Sequence, residues 1–273
     1  MRFRMTHTTR RPGLIALAGA LVALSNTAAA QVAVDELELH LALGSGATTT
    51  VFHAANRGAL PAHATISIED WDRSESGENR YYPTGTLPGS CGSHVSVFPS
   101  VLQLGPQSAQ AVRVTVDSAQ AIGHGCYAIL FVESPPVRTA QTTGVLYSVR
   151  YGVKVYVEPQ SPLSGEVTDV GVVDRPDSAR GAKGGGRTLR ELQVMFKNTG
   201  ARQAVAHGAV EVRRPDNSVV SRIEIPEFPT LPGATRRLDV ALPRLPSGRY
   251  VLLALLDYEG AEIAAGQVEL EVP

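Results

Sequence analysis

Polarity alternates with a period of two along most of this chain. The longest run holds apolar side chains at Val145, Tyr147, Val149, Tyr151, Val153, Val155 and Val157, with Leu146, Ser148, Arg150, Gly152, Lys154 and Tyr156 between them. Successive side chains of a strand point to opposite faces, so the first row is predicted to lie on one face and the second on the other. The run before it, Cys126–Glu133, is almost continuously apolar. It ends at Ser134-Pro135-Pro136, where the prolines have no N–H to give to a ladder. No long stretch repeats apolar residues at helical spacing.

Further strands are predicted at 36–43, 48–56, 62–70, 95–98, 101–104, 109–116 and 146–157. A second series follows at 166–173, 189–197, 204–213, 219–225, 236–241, 249–257 and 262–272. Turn signals such as Asn56-Arg57-Gly58, Gly105-Pro106 and Gly123-His124-Gly125 separate them. Many short strands between Gly, Pro, Asn and Asp mark β-sandwiches of about seven strands per ~100 residues. The predicted class is all-β, with two immunoglobulin-like β-sandwich domains in tandem, 31–160 and 161–273, meeting near Pro159-Gln160-Ser161-Pro162. Residues 73–93, polar and rich in Gly and Pro, read as a long loop, and the Gly-rich stretch 175–187 reads as a surface loop.

Residues 1–30 stand outside that pattern. Arg2, Arg4, Arg10 and Arg11 precede an apolar run over 13–24, and Ala28-Ala29-Ala30 offers small residues for cleavage. That is the layout of a cleaved signal peptide, with an apolar core too short for a membrane span. Arg10-Arg11 hints at twin-arginine export, but the residues after it fit the general secretory route better. Removing those four arginines from the 25 basic residues leaves 21 against 26 acidic ones, a net charge of −5. Nucleic-acid binding wants a basic stripe, so it is excluded as a leading reading. No second apolar run reaches the ~20 residues of a membrane helix. The expected product is an exported, soluble protein.

In an oxidising compartment, Cys91 and Cys126 read first as one disulfide. The alternatives are two free thiols, or a Cys2His2 metal site completed by His94 and His124. No catalytic signature is present: there is no Gly-x-Ser-x-Gly, no His-Glu-x-x-His and no framed carboxylate pair, and Ala182-Lys183-Gly184-Gly185-Gly186-Arg187 lacks the ending of a phosphate-binding loop. No cofactor and no resident metal are expected. Trp71 reads as a packing residue at the sandwich edge, and Tyr81-Tyr82-Pro83 as loop aromatics packed on their own loop.

Three stretches add a resemblance. Phe98-Pro99-Ser100-Val101-Leu102-Gln103-Leu104-Gly105-Pro106 is followed by Gln110-Ala111-Val112-Arg113-Val114. Tyr127 to Pro136 is an aromatic strand ending in an acidic residue and a double proline. Val153-Lys154-Val155-Tyr156-Val157-Glu158-Pro159 closes the first half. In this order, behind a signal peptide and ahead of a second β-domain, they resemble the N-terminal domain of periplasmic pilus chaperones of the chaperone–usher type.

The resemblance implies a periplasmic protein that binds immature pilus or fimbrial subunits by lending them the last strand of its first domain. It would then deliver them to an outer-membrane usher. Val145, Tyr147 and Val149 match the donated apolar row, and Lys154 the cation that anchors the subunit's C-terminal carboxylate. His40 stands where an arginine would partner that lysine, and it changes charge near pH ~6.5. The plainer readings are that the valines belong to the domain's own core, Lys154 is a solvated cation, His40 is a surface residue and Arg113 is structural. The second half departs from the family. Lys197-Asn198-Thr199-Gly200, Leu231-Pro232-Gly233 and Gly248-Arg249-Tyr250 look like adhesive immunoglobulin-like modules. An exported structural or adhesive accessory protein is therefore the alternative function.

Overall fold

A computed structural model describes residues 32–43, 46–117, 125–135, 148–176 and 188–273. The expected signal peptide, Val145, Tyr147, His124 and most of the Gly-rich stretch lie outside the described residues. Those described form strands and one short 3-10 turn, Gly92–His94. No helix among them is long and apolar enough to cross a membrane.

In the first half, β1 (Val32–Val34), β2 (Glu38–Ala42), β3 (Thr48–Asn56), β4 (Ala62–Arg73) and β5 (Asn79–Pro83) are followed by β6 (Val95–Phe98), β7 (Val101–Leu104), β8 (Ser108–Val116), β9 (Cys126–Ser134) and β10 (Val149–Glu158). They make two sheets, β1-β3-β8-β6 and β2-β10-β9-β4-β5, with β7 on β4. The second half holds β11 (Gly165–Pro176), β12 (Thr188–Asn198), β13 (Ala204–Arg213), β14 (Val219–Thr230), β15 (Thr235–Ala241), β16 (Gly248–Asp257) and β17 (Ala264–Val272). Its sheets are β11-β12-β15 and β14-β13-β16-β17.

The period-two pattern explains the packing. Phe52, Val112, Val114, Leu130, Val153 and Val155 fill the space between the first two sheets, while Leu192, Val194, Phe196, Val210, Leu252 and Leu256 fill the second sandwich. In β9 every residue from Cys126 to Val132 is buried. Cys126, Ala128, Leu130 and Val132 face the sandwich core. Tyr127, Ile129 and Phe131 face outward into a third cluster with Trp71, Tyr156 and Leu231, the last from the second half of the chain. A strand covered on both faces has to read as a continuous apolar run, as this one does.

Both halves use the same turn device. Buried Asn56 donates to the carbonyls of Leu60, Leu104 and Gly105 and accepts from the Gly58 amide. Buried Asn198 donates to the carbonyls of Arg202 and Thr230 and accepts from the Gly200 amide. An Asn-x-Gly turn thus satisfies buried backbone carbonyls that the strands leave open.

Several expectations are corrected. Residues 73–93 are not one long loop: β4 runs on to Arg73, turns through Ser74–Glu78, with Gly77 at φ 100°, and pairs with β5, so Tyr81 and Tyr82 lie in a strand. Strand β14 continues through Pro226 and Pro229 to Thr230; it lies at a sheet edge, where a missing N–H breaks no ladder. The last strand opens at Ala264 rather than Glu262. Arg113 points outward from β8 and is exposed.

Cys91 and Cys126 are joined, with Cα atoms 5.3 Å apart, so neither is a free thiol or a metal ligand. Around them, the buried Asp70 carboxylate accepts from the Leu87 amide and the Ser90 hydroxyl, holding the chain before Cys91 against β4. The bridge closes 35 residues, which in the chain-entropy view contributes about 4 kcal/mol. Urea unfolding of Cys91→Ala/Cys126→Ala is expected to show a loss of about 2–4 kcal/mol, and thiol titration of the denatured wild type should find no free sulfhydryl.

Candidate functional site

The short β2 pairs in parallel with the end of β10, Glu38 opposite Lys154 and His40 opposite Tyr156. On the outward face of this sheet these four side chains come together. Lys154 Nζ donates to Glu38 Oε1 at 3.1 Å and lies 5.0 Å from the centre of the Trp71 ring. His40 stacks on Tyr156 with ring centres 4.7 Å apart and planes within 4°. Its Nε2 is 3.8 Å from Glu38, and its Nδ1 is 4.0 Å from Glu158. Tyr156 meets Trp71 and Tyr127 edge-on at 5.8 and 5.6 Å. Burial, reinforced by Glu38, pushes the Tyr156 phenol far above its usual range, and burial with Glu158 does the same for Tyr127, so both hydroxyls stay neutral donors.

The structure places Lys154 and His40 around the same Glu38 carboxylate; His40 is exposed, as the plainer reading has it, whereas Lys154 is not a freely solvated cation. The Lys154 side chain is 16% exposed. Tyr156, on the face opposite the valines, is fully buried among His40, Trp71 and Tyr127, in a cluster that Leu231 of the second half closes. Trp71 is likewise buried beneath this cover rather than packed at a sandwich edge.

Sequence reasoning missed Glu38, Glu158 and the role of Tyr156. One signal was available: Glu38 and His40 are two apart in a strand, so choosing His40 places Glu38 on the same face. The parallel pairing that sets Glu38 against Lys154 is a long-range fact with no local mark.

Glu158 does a different job. Its Oε1 accepts from the Gln203 amide at 2.6 Å and from the Tyr127 hydroxyl at 3.3 Å, tying β10 to the start of β13. On the other flank, Arg73 Nη1 donates to the Pro229 carbonyl at 3.1 Å. Arg236 Nη1 donates to the Glu75 carbonyl at 2.8 Å, and the Arg237 amide does the same. Burial, and then the nearby Arg73 charge, lowers the Arg236 pKa. Between these ties lies a cavity of about 770 Å³ lined by Trp71, Arg73, Tyr127, Leu231 and Arg237. Gly125 permits close approach here, since a Cβ on it would stand 2.9 Å from the Ala201 carbonyl oxygen.

The start of β10 is different again. Its pairing with β9 spans Val149–Val157, while β2 covers its other side over Lys154–Glu158. Among the described residues, Val149–Val153 has no strand on that second side. Val149 is half-buried and lies outside the core clusters, whereas Val153, Val155 and Val157 are fully buried within one. Arg150, on the outward face, pairs with Glu69 and lies over the Phe131 ring at 3.4 Å. No group of His, Cys, Asp or Glu among the described residues is arranged to hold a metal.

No known family model matches the chain, and no curated protein matches it in sequence. Solved structures do. A chain of the chaperone–tip adhesin complex of CFA/I fimbriae biogenesis matches with TM-score 0.51 and 11% identity, over 89% of this chain and 100% of that one. The two chains share an all-β fold of sandwiches in tandem. The class 5 fimbriae chaperone CfaA also matches, with TM-score 0.48 and 12% identity over 89% of this chain and 99% of its own, too distant to argue from.

The Glu158 tie is open to test. Glu158→Ala removes the charge-assisted hydrogen bond from the Gln203 amide, worth about 1.5–3 kcal/mol, together with the longer one from the Tyr127 hydroxyl. Hydrogen exchange of the Gln203 amide is expected to rise by about tenfold or more, with the Leu192–Phe196 core amides unchanged.

Proposed function

We propose that this protein is a periplasmic chaperone that binds immature fimbrial subunits by strand donation and delivers them to an outer-membrane usher. The observation that carries this reading is the half-open edge of β10. Its free side over Val149–Val153 offers backbone donors and acceptors to an incoming strand, and such pairing tolerates almost any client sequence. The apolar row Val145, Tyr147, Val149 would supply register by filling a client's groove.

Lys154 stands where the open edge gives way to β2. A client strand laid along Val149–Val153 with its C-terminus at Lys154 has to run parallel to β10, in line with β2. Its terminal carboxylate would then meet the ammonium, with His40 beside it, in a partly desolvated setting where a charge-assisted bond is strong. No nucleotide is required, because the client's own folding can drive its transfer. The fold shared with a chain of a chaperone–tip adhesin complex supports the same reading, as does the export signal expected at 1–30.

The test is co-purification from the periplasm of the native host. Wild type is expected to retain a small β-rich secreted partner in stoichiometric amount. Val149→Arg should lose it while its melting temperature stays within a few degrees, since Val149 lies outside the core. Val155→Arg, which buries an unpaired charge, should lose several kcal/mol of stability. A Val149→Arg protein that keeps its partner would overturn donation, and a wild type with no partner would favour the adhesive or structural accessory role.

A further inference from the structure

Resting on the reading of Lys154 as a carboxylate anchor, we propose that the anchor already has a resident occupant, the side chain of Glu38, which an arriving chain end has to displace. Three groups converge on that carboxylate. Lys154 Nζ donates to Oε1 at 3.1 Å, the Tyr156 hydroxyl reaches the same oxygen at 3.4 Å, and His40 Nε2 is 3.8 Å from Oε2. An ammonium, a neutral phenol and an imidazole around one carboxylate make a receptor for any carboxylate.

Two of the three groups, Lys154 and Tyr156, are held by packing, whereas the occupant is not. Tyr156 is fully buried between His40, Trp71 and Tyr127, and Lys154 is held close to the Trp71 ring. Glu38 is the first residue of the five-residue β2, and its side chain is 41% exposed. The second carboxylate nearby, Glu158, is committed to the Gln203 amide and the Tyr127 hydroxyl, so it is not free to exchange. Turning Glu38 out into water requires no rearrangement of the donors.

Exchange of one carboxylate for another has two consequences. Lys154 never stands unpaired against the aromatic rings, so its desolvation is compensated before, during and after client binding. An amide or any other neutral chain end cannot replace Glu38 on equal terms, so the site selects for a free carboxylate. The resident side chain also competes with the client, which weakens capture and favours release.

The probe is acetate, with acetamide as its neutral twin, followed by NMR at the indole of Trp71, the single tryptophan of the chain. Glu38→Gln should half-saturate at about tenfold less acetate than wild type, the effect of losing one competing charge-assisted bond. Acetamide should move neither protein, and adding Lys154→Met should abolish the response. Equal acetate midpoints in wild type and Glu38→Gln, no response in Glu38→Gln, or a response that survives Lys154→Met would each overturn the proposal. The titration uses no client, so its outcome stands apart from whether Val149→Arg loses the fimbrial partner.

Discussion

The layer of rings on the outward face of the first sandwich holds the rest of the structure in place. Tyr156, Tyr127 and Trp71 meet edge-on there, and Leu231 of the second half closes over them. Aromatic pairs of this kind add about 0.5–1.5 kcal/mol each beyond the area they bury. The cover matters more than the sum. Without it the outward face would be an exposed apolar patch, Lys154 would lose its low-dielectric setting, and Glu158 would have no amide to receive. The position of the second half, the environment of the lysine and the burial of β9 on both faces are one constraint seen three ways.

Charge is arranged around that layer with economy. Glu38 and Glu158 lie on opposite sides of His40, and each has a separate commitment, the first to Lys154 and the second to Gln203. The site is balanced rather than strongly basic. Long-range attraction plays little part at such a site, since screening cuts off exposed charges beyond ~10 Å.

Much of the fold was legible because alternation is local. The strands at 48–56, 95–98, 101–104 and 204–213 follow the polarity pattern to the residue. Cys91 with Cys126 was readable from compartment and number. What escaped depended on distant partners. Strand β5 exists because β4 runs on past Trp71 to receive it, and β14 passes two prolines because it sits at an edge. The part of the alternating row at Val149–Val157 was legible as a strand, but which half serves the core could not be read from it: Val153, Val155 and Val157 pack inside, while Val149 stays at the margin. Tyr156 alternates with the valines as an outward residue should, and the ring cluster on that face, closed by Leu231, makes it interior. Lys154 and His40 were found through a resemblance, whereas Glu38 needed the parallel register of β2.

That register also limits how the sheet can misbehave. By lying along Lys154–Glu158, β2 acts as a stop on that edge of β10 and leaves five residues, Val149–Val153, without a strand partner on that side among the described residues. At ~3.3 Å per residue this is about 16 Å of ladder. So short a described length gives a second copy of the same chain little to zip onto. The first strand of that sheet thus works as a ruler, fixing where the open edge of β10 ends.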